Sequence, residues 1–420
     1  MEIEEHFFRH EFGRIVATLT RLFGVGDLAL AEDVTQDAFC RAMETWKLRG
    51  LPKNPSAWLM ATAKNRALDV LRRERTARVS KPGLARFLES EWTLVPTIEE
   101  AFTVSAVNDS QLRMMFSCCH PGLSEEAQIA LILHILCGFS VKEIAQAFVS
   151  SHAAIEKRIT RAKKILAESM KLFDLADADL PSRLSSVLQA LYLLFNEGYH
   201  GSSPEAAVRM ELCQEAMRLV NFLIERPALV TPQSYALAAL MYLNAARLPT
   251  RLDGSGNLVS FFEQDRSLWN HNLIAEGQEL LDLSASGTEL TQYHIEAAIA
   301  SMHTSAARSE DTDWKQIVSL YDMLMAIHPS PVVALNRAIA IAQLDGPERG
   351  LQEIRVIHDL HRLSSYPFYP ATLGELELRG GNYPVAKAHF STALSLARNP
   401  MERNFLQRRI DACMAAKKQE

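Results

Sequence analysis

A chain of 420 residues has room for two or three domains with sizeable cores. Hydrophobic residues make up 48% of it and charged residues 22%, with few aromatics and few glycines, which excludes collagen-like, low-complexity and disulfide-stapled classes. A net charge of −6 argues against a uniformly basic nucleic-acid binder, so any such role must rest on local basic clusters.

The first ten residues, MEIEEHFFRH, lack the basic start and apolar core of a signal peptide. The longest apolar run, 129–139, is too short to span a bilayer and contains His134. No membrane partner is expected. The six scattered cysteines suit a reducing cytoplasm. Nearly every segment has a helical period. No alternating strand pattern and no glycine-rich phosphate loop is found, so the class is all-α.

Residues 5–78 read as one small helical domain. A first helix covers about 10–23. Gly24 and Gly26 break it, and Asp27 can cap the next. That helix, LALAEDVTQDAFCRAMETW, turns Ala31, Val34, Ala38, Ala42 and Trp46 inward. Asp33 and Asp37 lie four apart and share a face, with Arg41 one turn on. On pattern alone, a solvated surface helix accounts for them. Pro55 is placed to open a third helix. Trp58, Leu59, Leu68 and Leu71 anchor it, and its second half is basic. Residues 64–78 hold six Lys/Arg against Asp69 and Glu74. Asp69 is spaced to pair with Arg66 and Arg73, and Trp58 could pack or stack.

Residues 79–108 are broken by Pro82, Gly83 and Pro96 and carry Glu89, Glu91, Glu99 and Glu100. They read as an acidic linker with some local helix. Residues 109–171 form a second small helical domain, in which Ser124 is an expected N-cap with Glu125 and Glu126 in the first turn. Cys118, Cys119 and His120, with His134 and Cys137 nearby, invite a metal reading. Adjacent cysteines rarely chelate one zinc and no C-x-x-C follows, so no metal is expected.

The stretch 140–166, SVKEIAQAFVSSHAAIEKRITRAKKIL, organises this second domain. Ser140 and Glu143 have the spacing of a capping box. Ile144, Ala145 and Phe148 make one apolar face. Val149, Ser150 and Ser151 form a break, with Ser151 as the next N-cap. Ile155, Ile159, Ala162 and Leu166 then face inward. The opposite side carries His152, Lys157, Arg158, Thr160, Arg161, Lys163 and Lys164. A short helix, a tight turn and a basic second helix fit a DNA major groove. An ordinary amphipathic pair with a solvated basic face fits this stretch equally.

Taken together, these pieces resemble a family. AEDVTQDAFCRAMETW followed by NPSAWLMATAKNRALDVLRRERT resembles region 2 of the extracytoplasmic-function sigma factors. The segment from QLRMMFSCCHPGLSEE to ITRAKKIL resembles their region 4. The likeness covers about residues 5–170. FSCCHP and a long helical second half resemble the subgroup with a C-terminal tetratricopeptide-like extension. The resemblance implies partners: core RNA polymerase, through its β′ clamp helices and β subunit, and promoter DNA. It implies polymerase contact by Glu32, Asp33, Gln36, Asp37 and Arg41. It implies −10 contact by Trp58, Lys64, Asn65, Arg66, Arg72, Arg73 and Arg75, with the loop 49–55 helping to form a base pocket. It implies −35 contact by Ser151, His152, Ala153, Glu156, Lys157, Arg158, Thr160, Arg161 and Lys164. Val149 departs from the glycine often found in such turns. No catalytic residue and no cofactor is implied, because the polymerase supplies the covalent chemistry. A helix-turn-helix regulator that acts without polymerase and a repeat-type adaptor are the rival readings. The docking helix in the first domain argues against the regulator.

Residues 172–420 exceed what promoter reading needs. YLLFNEGYHGSS (192–203) and LDGSGNLVSFFEQDRSLWNHNLIAEG (252–277) stand out. Glu263, Asp265, Arg266 and Trp269 suggest a ligand or partner site, or a loop pinned by an Asp–Arg pair. From about residue 296 a repeat emerges. Ile317, Tyr321, Leu324 and Pro329 are followed by Gly350, Ile354 and Ile357, and then by Ala386, Phe390 and Ala393. A period near 34 residues marks stacked helix pairs. This half is expected to regulate and to take a protein or small-molecule partner.

Overall fold

The structure is a computed structural model that describes residues 5–23, 27–76, 99–148, 150–168, 180–201 and 206–416. It is all-α; among the described residues the only β pairing is an isolated bridge between Leu252 and Leu258. No helix among them is long and apolar enough to cross a membrane. None of the six cysteines is joined in a disulfide. The chain divides into two compact units, one of residues 1–194 and 221–229, the other of 195–220 and 230–420.

The first unit opens with α1 (Glu5–Phe23), α2 (Leu28–Arg49) and α3 (Pro55–Thr76). Ile15, Leu19, Phe23, Val34, Leu59 and Leu71 share one core. The inward residues of α2 are those read from its period: Ala31, Val34, Ala38, Ala42 and Trp46 are buried. Asp27 stands at the N-cap of α2 without a side-chain capping bond. Asn54 caps α3 instead, accepting from the Ala57 amide at 3.0 Å, and Pro55 occupies the first turn, where a missing N–H costs nothing. Gly50 ends α2 at φ 78°, the left-handed region that favours glycine.

Four further helices follow: α4 (Val104–Cys118), α5 (Glu125–Ile135), α6 (Val141–Ala147) and α7 (His152–Glu168). Thr103 caps α4. Ser124 precedes α5 but makes no side-chain cap. The acidic stretch 79–98 lies outside the described residues. The two helical domains pack directly on each other along α1. Gly13 permits the approach, because a Cβ there would stand 2.1 Å from the Leu136 carbonyl oxygen. Three ion pairs stitch the same seam: Arg9 to Glu143 at 2.7 Å, Arg21 to Asp109 at 3.0 Å, and Lys163 to Glu32 at 2.6 Å.

The second unit is a run of helices in which each packs on its neighbours: α10 (Pro232–Ala245), α11 (His271–Ser284), α12 (Gln292–Ser305), α13 (Trp314–Ile327), α14 (Pro331–Asp345), α15 (Pro347–Arg355), α16 (Phe368–Arg379), α17 (Tyr383–Leu396) and α18 (Pro400–Ala416). Before them, α8 (Leu184–Tyr199) and α9 (Met210–Ile224) each begin or end in the first unit. Of the periodic positions, Ile317, Leu324, Ile354, Ala386, Phe390 and Ala393 are buried, Tyr321 and Ile357 are half-buried, and Pro329 is exposed. Gly350 and Gly374 sit where helices touch. A Cβ on Gly350 would meet that of Ala342 at 2.5 Å, and one on Gly374 would meet the Phe390 ring at 2.9 Å.

Candidate nucleic-acid interface

The capping box that starts α6 forms in both directions. Glu143 accepts from the Ser140 amide at 2.8 Å and from its hydroxyl at 2.7 Å, while Ser140 Oγ accepts from the Glu143 amide at 3.2 Å. Burial works to raise the Glu143 pKa. The hydrogen bonds from Arg9 and Ser140 outweigh it and hold the carboxyl below its ordinary value. The Ser150 amide closes α6 on the Ala145 carbonyl at 2.8 Å, and Ser151 Oγ caps α7 through the Ala154 amide at 3.2 Å. Val149, the departure from glycine, lies outside the described residues.

On α7, Ile155, Ile159, Ala162 and Leu166 are buried against α5 and α6. Ser151, His152, Ala153, Glu156, Lys157, Thr160, Arg161 and Lys164 are exposed. This gives one polar face on a rigid helix, carrying Lys157, Arg161 and Lys164 against the single carboxylate of Glu156, suited to phosphates and base edges. Two basic residues leave that face. Arg158 is half-buried and donates to Glu126 of α5 at 2.8 Å. Lys163 donates to both oxygens of Glu32, at 2.6 and 2.9 Å.

On α2, Asp33, Gln36, Asp37 and Arg41 are exposed together, while Glu32 turns to Lys163. Met43, 56% exposed, and Leu48, 85% exposed, project from the same helix. Neither is among the residues that the family resemblance implies for polymerase contact. The available signal was their position off the inward stripe, since apolar side chains left in water on a polar helix suit a protein partner.

On α3, Asn65, Arg72 and Arg73 are exposed. The side chain of Arg75 lies outside the described residues. Lys64 stands 3.6 Å from Glu99. Arg66 pairs with Asp37 across the helices, not with Asp69, because α2 supplies a carboxylate closer than the one along its own helix. No ion pair joins Asp69 to Arg66 or Arg73 among the described residues. Trp58 is half-buried with its ring 5.3 Å from that of Trp46, so it packs as part of the aromatic core. In the loop 49–55, Arg49, Lys53 and Asn54 are exposed.

Among the described residues no group of three or more His, Cys, Asp or Glu side chains converges as metal ligands. Cys118 and Cys119 are buried, and burial pushes the Cys119 thiol up to about 12, which disfavours the thiolate a metal needs. In the second unit the expected Asp265–Arg266 pair is absent. Asp265 caps its own turn through the Ser267 amide and hydroxyl, at 2.9 and 2.6 Å. Arg266 donates instead to the carbonyls of His303 and Ala306, at 2.9 and 2.8 Å.

Residues 7–77 match the family Sigma-70 region 2, and residues 113–166 match Sigma-70, region 4. Residues 183–285 match a family of unknown function (DUF6596). The chain is 37% identical to "Uncharacterized protein R00370" of Rhizobium meliloti (strain 1021) over 389 residues, 92% of this chain and 90% of that relative. No solved structure matches the chain.

Proposed function

Because the chain belongs to the extracytoplasmic-function type of sigma factor with a C-terminal extension, a class that acts in transcription initiation, we propose that it binds core RNA polymerase through α2 and reads promoter DNA through α3 and α7. The supporting observation is the pairing of two unlike exposed faces within one unit. The face of α2 mixes Asp33, Asp37 and Arg41 with the bare side chains of Met43 and Leu48, which suits a protein partner. The face of α7 presents Lys157, Arg161 and Lys164, which suits phosphates. The docking target is the β′ clamp helices, with the β subunit as a further contact. The −10 element goes to Asn65, Arg72, Arg73 and Arg75, and the −35 element to the exposed residues of α7. The protein works in the cytoplasm and makes no covalent bond of its own.

In-vitro transcription with core polymerase and a promoter recovered from DNA bound in cells tests the reading. Promoter-specific transcripts that vanish with Asp37→Arg and Lys157→Glu are expected. An inability to bind core polymerase at all would overturn it. The second unit, from about residue 296 a tetratricopeptide-like stack, is the regulatory element. Deletion of the whole extension from residue 171 onward, which takes the second unit together with the 171–194 and 221–229 parts of the first, should change promoter output in cells.

A further inference from the structure

Parts of the two sequence stretches that promoter reading does not use, residues 195–201 of the first and 252–277 of the second, come together in the second unit. Tyr199 and His200 from the first meet Arg247 and Arg251, which stand just before the second. Phe261 and Trp269 from the second close the group. The Arg251 guanidinium lies 4.3 Å from the centre of the Tyr199 ring, and that of Arg247 lies 4.3 Å from the Phe261 ring and 5.6 Å from Trp269. The aromatic faces orient both guanidiniums but leave their N–H edges free for an acceptor.

Those edges are poorly served by the protein. Among the described residues no carboxylate pairs with Arg247 or Arg251. Among the described residues the Arg247 side chain reaches only the Gln264 side-chain oxygen, at 3.4 and 3.5 Å, and that of Arg251 only His200 Nδ1, at 3.3 Å. Neighbouring arginines show what satisfaction looks like in this fold. Arg266 donates to two carbonyls at 2.9 and 2.8 Å, and Arg398 to Glu402 at 2.6 Å. Two further polar atoms in the group are buried without a partner: the hydroxyl of Tyr199, a residue only 5% exposed, and His303 Nδ1. Such orphans are uncommon unless a ligand or water completes them. Arg251 itself is 8% exposed, and its neighbour His200 keeps surface area at the edge of the group although protein surrounds its ring. The protein packed around His200, then the charges of Arg251, Arg247 and Arg398, keep its imidazole neutral at ordinary pH. The uncompensated charge is therefore that of two guanidiniums.

We propose that Tyr199, Arg247 and Arg251 form a binding site for a small molecule carrying a phosphate dianion. Two guanidiniums with no counter-charge match a dianion, whereas a monocarboxylate would balance only one. Their forked edges fit phosphate oxygens, and the Tyr199 hydroxyl adds one further donor. The site lies wholly in the second unit and stands whether or not the first unit reads promoters as argued above.

The test is titration of the full-length protein, in chloride buffer, with inorganic phosphate, with phenyl phosphate and with malonate, followed by calorimetry and phosphorus NMR. Saturable one-to-one binding of at least one phosphate is expected, weakened about tenfold or more by Arg251→Gln and by Tyr199→Phe, and unchanged by Arg308→Gln, an exposed arginine elsewhere in the unit. Tyr199→Phe keeps the ring and the fold, so a failure of Arg251→Gln to fold leaves the test intact. Equal affinity for both phosphates indicates a free-anion site, and a preference for phenyl phosphate indicates an ester site. The proposal is overturned by an absence of saturable phosphate binding, by binding that both variants leave untouched, or by malonate binding tighter than either phosphate.

Discussion

Lys163 of the second domain grips Glu32 of the first with both carboxylate oxygens, at 2.6 and 2.9 Å. Glu32 stands on the proposed polymerase-docking helix and Lys163 on the proposed DNA-reading helix. In this arrangement each holds the other, and neither is free for its outside partner. Arg9–Glu143 and Arg21–Asp109 hold the same two domains together. The pair is partly screened by water, so its contribution is on the order of 1 kcal/mol. Lys163→Glu should therefore loosen the seam and raise affinity for core polymerase by a few-fold, while Glu32→Lys combined with Lys163→Glu should restore the closed arrangement. Fluorescence energy transfer between dyes on α2 and α7 reads the separation directly. Identical transfer in the wild type and the Lys163→Glu single variant would rule this out.

Gly13→Ala reverses the usual sign for helix interiors. Alanine ordinarily favours a helix over glycine by about 1 kcal/mol. Here the added methyl would meet the Leu136 carbonyl oxygen at 2.1 Å, a backbone atom that cannot swing aside. Relief requires α1 to separate from the second domain, at a cost of roughly 1–3 kcal/mol for an overpacked contact. Chemical denaturation should show a lower midpoint for the first unit. A midpoint equal to or above wild type would mean that the two domains are not packed this way in solution.

The basic residues of α7 should separate by role. Lys157 and Arg161 are exposed and free of ion pairs among the described residues, so alanine at either should lower the salt slope of promoter binding by about 1 without changing the melting temperature. Arg158→Ala should instead lower the melting temperature slightly, because Arg158 braces α7 against Glu126. Filter-binding across a salt series, paired with thermal melts, distinguishes the two behaviours.

Much of this was legible in the sequence. Helical period located α2, α3 and α7 and their buried stripes, because a 3.6-residue repeat of apolar side chains leaves few alternatives. The Ser140–Glu143 capping box and the Ser151 cap were visible because they are local, whereas Asp27 and Ser124 stand at their helix starts without the expected side-chain caps. The seam between the two domains was not visible. Gly13 looks like any helix glycine until the Leu136 carbonyl is placed beside it, and nothing in the order of residues brings Lys163 to Glu32. Arg66 illustrates the same limit: Asp69 is near in sequence, but Asp37 is near in space. Tyr199, Arg247 and Arg251 escaped for that reason too, since 48 residues separate the first from the second in the chain.

His303 gives the second unit a dependence on pH. Burial, then the charges of Arg247 and Arg266, push its pKa from 6.5 down to about 3. Its ring lies between Phe261 and Trp314, with centroids at 4.9 and 5.4 Å. In the unfolded chain the imidazole takes up a proton near pH 6.5, while the folded chain refuses it until about pH 3. The unfolded state thus binds more protons across that window, and stability falls as pH falls from 6.5 toward 3. One such group contributes a slope of at most about 1.4 kcal/mol per pH unit. His200 and His294, also lowered, add to the same window, so the comparison must be with a variant. His303→Gln removes the titration but keeps the main-chain carbonyl that Arg266 uses. Its melting temperature should change less than that of the wild type between pH 7 and pH 5. Parallel curves for the two proteins would show that His303 is protonated in the fold and that the surrounding arginines do not exclude its charge.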